Sequence, residues 1–319
     1  MDQLAIADRR QLRRKLGFWR ILCILLILVA AIGTYVAINA QSAGLAARPQ
    51  IARVAISGIV QDDRELLDRL ERIANADAVK GLVVTIESPG GTTYGGETIY
   101  KAIRKVAEKK PVVSDVRTLA ASAGYMIAIA GDQIVAGETS ITGSIGVLFQ
   151  YPQIKTLMDR LGVSLETIKS APLKAEPNPF NPPSEEAKAV IQSMINDSFD
   201  WFVDLVAERR KLARPEALRL ADGRIFTGRQ ALKEKLVDVL GGEEEIKAYF
   251  KSRKVDADLP VVDWKAPDNS WGFGLGSIAS EWVKSLGYEV FPALGGLEKL
   301  GGDKLFLDGL LSVWQVGNN

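Results

Sequence analysis

The stretch GLVVTIESPGGTTYGGETIYKAIRKV, residues 81–106, holds the pattern that decides the fold. Its opening run, residues 81–86, is short and apolar, as befits a strand buried on both faces of a parallel sheet. A turn follows at Ser88-Pro89-Gly90-Gly91, and residues 95–106 read as a helix. The same alternation extends to both sides. Upstream, residues 51–60 are strand-like, and residues 62–76 carry Leu66, Leu67, Leu70, Ile73 and Ala74 at helical spacing. Downstream come a strand at 112–116, a small-residue helix at 122–130, a strand at 133–136 and a further strand candidate at 145–149. Such alternation predicts an α/β domain with a mainly parallel sheet and flanking helices.

The pattern breaks at residues 171–183, where Pro172, Pro177, Pro179, Pro182 and Pro183 crowd one short stretch. Neither a helix nor a sheet interior tolerates that density. Ser184 then has the character of an N-cap, with Glu185 and Glu186 in the first turn, and opens a helix expected to run to about Leu212. Residues 218–240 are expected to hold a turn and an amphipathic helix stopped by Gly241-Gly242. Beyond about Asp256 the chain turns Gly-rich, with Trp264, Trp271, Trp282 and Trp314 spread through it. Two sets there recur at helical spacing: Ile278, Trp282 and Leu286, and Leu307, Leu310, Leu311 and Trp314. The expected division is a basic N-terminus (1–20), a membrane helix (21–40), a linker (41–50), a catalytic domain (51–254) and a tail (255–319).

The membrane expectation rests on residues 21–40, which carry no charge. As a helix they would span about 30 Å, the hydrocarbon core of a bilayer. Arg9, Arg10, Arg13, Arg14, Lys15 and Arg20 precede the segment, while mainly Arg48 and Arg53 follow closely. This asymmetry predicts a cytoplasmic N-terminus and a domain on the outer side. A cleaved signal peptide is the rival, but the apolar run exceeds the usual ~7–15 residues, and Ile38 sits where a small residue belongs.

Composition narrows the chemistry. The chain has no histidine, which removes Ser-His-Asp and Cys-His catalysis and histidine metal sites. Its one cysteine, Cys23, lies in the apolar segment. A net charge of +1 gives no hint of a nucleic-acid partner. Three Gly/Ser-rich turns fall where ligands bind an open parallel sheet, at the carboxyl ends of strands. They are 88–91, 120–124 (Ala-Ala-Ser-Ala-Gly) and 142–146 (Thr-Gly-Ser-Ile-Gly). Paired N–H groups at such turns can hold an oxyanion. Each turn also has a plain reading: a tight turn, close helix packing, or Ser122 serving only as a helix cap. No turn carries the Gly-Lys-Ser/Thr of a phosphate loop. A serine nucleophile needs a base, and without histidine lysine is the main candidate. A lysine at its ordinary pKa of about 10.4 is protonated, so the base must be desolvated or set in a positive field. Lys174, in the proline-stiffened stretch with Glu176 as its one nearby acid, suits that better than Lys169.

Four segments then become recognisable: Ile86-Glu87-Ser88-Pro89-Gly90-Gly91, Ala120-Ala121-Ser122-Ala123-Gly124-Tyr125, Thr142-Gly143-Ser144-Ile145-Gly146-Val147, and Ala221-Asp222-Gly223-Arg224-Ile225-Phe226-Thr227-Gly228. In this order and spacing they resemble the short form of the signal peptide peptidase A family. These are bacterial Ser-Lys peptidases related in fold to Clp proteases and crotonases. The resemblance covers about residues 51–250. It implies Ser122 as nucleophile, Lys174 as general base 52 residues later, Ser144 orienting that amine, and the N–H groups of Gly90 and Ala123 as oxyanion hole. Glu87 stands where the family usually has Asn, and Ala123 and Met126 where it often has Gly and Tyr.

The resemblance further implies a single-pass anchor in the bacterial inner membrane, with the catalytic domain on the periplasmic side. The substrates would be released signal peptides and other short apolar peptides, without cofactor or metal. It also implies a ring-forming homo-oligomer in which one subunit's lysine serves the next subunit's serine. Two other classes share the fold. A catalytically silent scaffold would have lost Ser122 or Lys174, and both are present. An acyl-CoA enzyme of the crotonase kind would need a cytoplasmic cofactor in an exported domain.

Overall fold

The computed structural model describes residues 19, 21–23, 25, 26, 29, 33, 48–256, 258–265 and 310–313. The chain divides into two units, Met1–Pro49 and Gln50–Asn319. In the first, Trp19, Ile21, Leu22, Cys23, Leu25, Leu26, Val29 and Gly33 are helical. Among the described residues no helix is long and apolar enough to cross a membrane. The rest of the span expected at 21–40 lies outside the described residues.

In the second unit the sheet is mainly parallel, as the alternation predicts. Strand β1 (Gln50–Val60) pairs in parallel with β2 (Val79–Thr92), and β2 with β3 (Val112–Ala121). On its other edge β3 serves two neighbours. Its first half pairs with β4 (Gln133–Ala136), and its last residues pair with β5 (Ile141–Gly143). Antiparallel β6 (Ile225–Thr227) continues from β5, and parallel β7 (Val239–Leu240) from β4. At the other edge, β8 (Val261–Asp263) pairs with β1, so residues beyond 254 complete the sheet.

Period-two alternation divides the strands between two cores. Ala52, Val54, Leu82, Val84, Ile86 and Val112 face one side. There they meet helices α1 (Arg64–Asn75), α2 (Thr93–Ala107) and α3 (Ala123–Ala128). Ile51, Val83, Val113 and Val135 face the other, against Ile246 and Phe250. The helix starts follow from their caps: Asp63 accepts from the Leu66 amide at 2.9 Å, and Thr92 from the Gly95 amide at 3.1 Å.

Past β5 a short helix, α4 (Lys155–Leu161), precedes the proline-rich stretch. Helix α5 (Glu185–Arg210) then opens where expected, with Ser184 accepting from the Ala187 amide at 3.1 Å. Its first half stands clear of the core, because after Ala187 the next buried residue is Phe202. The amphipathic helix expected within 218–240 is absent. Instead α6 (Arg214–Leu220), β6, α7 (Gly228–Lys233) and β7 share that region, followed by α8 (Glu243–Ser252). Gly223, at φ +84°, breaks the run, and Thr227 with Gln230 starts a new helix through a capping box.

Two further expectations are corrected. Residues 145–149 form no strand; Leu148 makes only an isolated antiparallel bridge, to Leu311. The helical spacing of Leu307, Leu310, Leu311 and Trp314 does not give a helix at its described positions. Leu311–Val313 is instead strand β9, antiparallel to the end of β2. Leu307 and Trp314 lie outside the described residues, as do Ile278, Trp282 and Leu286. A three-residue run that gains its partners from β2 and Leu148 takes their geometry whatever its own periodicity favours.

Candidate active site

The carboxyl ends of β2, β3 and β5 converge on Ser122. Strand β3 ends at Ala121, paired with Gly143 of β5, and the Ser122 amide donates to the Gly143 carbonyl at 2.8 Å. Ser122 takes φ 57° and ψ −119°, a conformation that costs a non-glycine residue about 1–3 kcal/mol. Its side chain makes no capping hydrogen bond to α3, which sets aside the reading of Ser122 as a helix cap. The residue is 1% exposed, and its Oγ hydrogen-bonds Ser312 Oγ of β9. A buried hydroxyl held in a strained strand-to-helix turn, with no capping bond to its helix, makes Ser122 a candidate for chemistry.

Two backbone donors flank it. Ala123 is the first residue of α3, so no intrahelical carbonyl takes its N–H. Gly90, at φ +107°, lies at the end of β2. A methyl group there would come within 2.9 Å of Ser122 Cβ and 2.2 Å of the Ser312 carbonyl oxygen, so this close approach requires glycine. The Gly90 N–H donates to Ser88 Oγ at 3.1 Å, and Ser88 Oγ donates to the Gly58 carbonyl at 2.6 Å. Ser88, which the sequence reading treats only as part of a turn, thus ties the candidate oxyanion donor to β1.

Beneath the site Tyr125 is fully buried and donates to the Leu236 carbonyl at 2.9 Å. Burial raises its pKa, so the phenol stays a donor.

Ser144 follows Gly143 directly. It too has positive φ (50°) and is buried, and its amide donates to the Arg224 carbonyl at 2.7 Å. The structure therefore brings Ser122, Gly90, Ala123 and Ser144 into one neighbourhood at the strand ends.

Lys174 stands apart from them. It sits in a turn, its amide donating to the Ala171 carbonyl at 3.1 Å, and its side chain is exposed. Among the described residues its amine makes no hydrogen bond or ion pair. Glu176, the acid expected beside it, pairs with Lys169 instead and accepts from Asn178 at 3.1 Å. Among the described residues the desolvated setting expected for Lys174 is not formed, because none of them covers this turn.

Ser312 is a second site residue, besides Ser88, whose part sequence reasoning missed. It lies 190 residues from Ser122 in a tail without a family segment, and no local pattern announces such a contact.

Comparisons with known proteins converge on the same region. The profile of Peptidase family S49 matches residues 104–256, which contain Ser122, Ser144 and Lys174. The Clp protease profile matches residues 52–139. A Methanocaldococcus jannaschii protein that carries the name protease is 35% identical over 246 residues, 76% of this chain and 77% of that one. An Enterococcus faecium protein named signal peptide peptidase SppA is 33% identical over 273 residues, 80% of this chain and 79% of that one. The chloroplastic serine protease SPPA of Arabidopsis thaliana is 30% identical over 226 residues, 69% of this chain and 33% of that protein.

Proposed function

We propose, from the premise that the chain belongs to peptidase family S49 and is a serine peptidase, that Ser122 is its nucleophile and that Lys174 of a neighbouring subunit is its general base. The observation that carries the nucleophile is the strained, buried Ser122 turn with no capping bond. Ser122 Oγ attacks the scissile carbonyl carbon while its proton passes to the lysine amine. The same amine then protonates the leaving nitrogen, and water hydrolyses the acyl-enzyme in a second round. The N–H groups of Gly90 and Ala123 receive the oxyanion. In doing so Gly90 exchanges the neutral Ser88 hydroxyl for a charged acceptor, which forms the stronger bond. Ser144 orients the lysine.

Donation of the base between subunits is supported by what surrounds Lys174. Leu161, Val163, Leu165, Ile168 and Leu173 are all exposed, Ile168 completely, and the first half of α5 beside them leaves Val190 and Met194 exposed. An apolar arm of this kind suits burial against a second copy of the chain. Burial there would desolvate an amine and favour its uncharged form. Head-to-tail contacts of this type form a ring where the rotation between subunits closes, and a ring is the proposed assembly.

The uncharged stretch at 21–40 and the basic residues before it support a membrane anchor with the catalytic unit on the outer side. An enzyme so anchored meets released signal peptides and other short apolar peptides at the bilayer interface, and these are the proposed substrates. The test is hydrolysis of an apolar signal-peptide substrate by the purified full chain in detergent. Turnover should fall by several orders of magnitude in Ser122→Ala. Turnover that persists in the variant overturns the assignment.

A further inference from the structure

From Leu161 to Ala175 every residue is exposed except Lys169. The Lys169 amine donates to Glu176 Oε1, in an ion pair whose side chains are only 20% and 13% exposed. Asn178 holds Glu176 from the other side. Its Nδ2 donates to the same Oε1 at 3.1 Å, while its Oδ1 accepts from the Phe180 and Asn181 amides at 2.9 and 3.0 Å. This end of the loop is moored to the chain before α4. Gln153 Nε2 donates to the Asn181 carbonyl at 2.9 Å, and the Ile154 amide to the Pro179 carbonyl at 2.8 Å. The pair therefore closes a loop over residues 169–176, and Lys174 lies inside it. The turn within is tight. The Glu176 amide donates to the Leu173 carbonyl at 3.3 Å, and Ala175 takes φ +58°, which is uncommon for a residue with a side chain. Glu176 Oε2 is buried and has no hydrogen-bond partner among the described residues. The carboxylate thus keeps an acceptor to spare, two positions from the proposed base.

We propose that Lys169 and Glu176 are positioning residues for Lys174: the pair clasps the loop that presents the base, and it neutralises a carboxylate that would otherwise keep a proton on the base's amine. The inference rests on the reading of Lys174 as general base. Such a base must be uncharged to accept the serine proton, and a carboxylate beside it favours the charged form. Glu176 serves the loop as an anchor and opposes the chemistry as a charge. Lys169 cancels the charge and leaves the anchor in place. Without Lys169, the spare acceptor and the whole negative charge fall to Lys174. The other ionisable groups of the arm leave that balance alone. Lys155 pairs with Asp159 in α4, and Lys188 with Glu185 in α5. Arg160, Glu166 and Glu186 are exposed and make no ion pair among the described residues. Beside Ser144, Arg224 is paired with Asp222.

The test is the pH profile of kcat/KM for the full chain in detergent on an apolar signal-peptide substrate. In Lys169→Met the rise of activity with pH should move about one pH unit to the alkaline side, leaving roughly a tenth of wild-type kcat/KM near neutral pH and most of it on the alkaline plateau. Adding Glu176→Gln to Lys169→Met should return the midpoint to that of wild type, since no charge is then left to neutralise. Lys169→Arg keeps the ion pair and should keep the wild-type midpoint. A purely structural role for the pair lowers activity by one factor at every pH. An unmoved midpoint in Lys169→Met, or a shift that survives the second substitution, therefore overturns the proposal. Should Lys169→Met fail to melt cooperatively, Lys169→Gln takes its place; if both fail, the pair serves the fold and the proposal falls. Lys174→Ala, measured alongside, separates the two readings. Near-wild-type turnover in it sinks Lys174 as the base. A dead Lys174→Ala beside an unmoved Lys169→Met profile sinks the clasp alone.

Discussion

The Ser122 amide donates to the Gly143 carbonyl at 2.8 Å, and through this bond β5 holds the strained turn that carries the proposed nucleophile. Gly143 itself sits at φ +91°, where a methyl group would lie 2.7 Å from Phe226 Cδ2 and 3.0 Å from the Arg224 carbonyl. Gly143→Ala should therefore destabilise the protein by about 2 kcal/mol or more. It should also lower peptidase activity beyond what the loss of folded protein explains, since Ser122 and Ser144 both hang from this residue. Thermal melts read beside the activity of the folded fraction check both parts.

Ser122→Gly separates stability from function. Activity should fall by several orders of magnitude, as when a catalytic serine is removed. The melting temperature should nonetheless exceed that of Ser122→Ala, which loses the same hydrogen bond to Ser312. Glycine relieves strain of about 1–3 kcal/mol at φ 57°, against an entropic cost of about 0.5–1 kcal/mol. A net gain of about 1 kcal/mol corresponds to roughly 2–4 °C in a domain of this size. A melting temperature no higher than that of Ser122→Ala would refute the claim that the turn is strained.

Ser122→Ala and Lys174→Ala should each be inactive alone yet complement when subunits are exchanged. In a randomly mixed closed ring about one interface in four joins an intact serine to an intact lysine, so activity should return to about a quarter of wild type. Mixing without subunit exchange should restore nothing. If exchange is shown by mass spectrometry and the mixture stays dead, the base acts within one chain.

Asp115 gives a pH signature unrelated to catalysis. It is buried in β3, and burial raises its pKa despite Arg117 at 3.6 Å and Thr85 at 3.4 Å. The unfolded chain therefore ionises this carboxyl more readily than the folded one. Its neutral form costs nothing at low pH, and stability is lost as pH rises from the unfolded pKa of about 3.9 through the raised folded value. Asp115→Asn should raise the melting temperature near neutral pH, with the gain shrinking as pH falls toward 4. A gain independent of pH would show that ionisation is not its cause.

The sequence by itself determined the α/β class, the order of strands and helices to β4, the Ser184 cap, and the turns that carry Gly90, Ser122, Ala123 and Ser144. Those features are local. Period-two and helical spacing, capping side chains and glycine turns each act within a few residues. Only the tertiary structure decided that the Ser122 side chain leaves its helix uncapped, that Ser88 holds the Gly90 amide, that Thr92 caps its helix, and that the described residues leave Lys174 uncovered. It alone turned Leu311–Val313, whose spacing reads as helix, into a strand. That strand exists because β2 and Leu148 offer unpaired backbone groups far away in sequence, and buried backbone must find partners wherever the fold provides them.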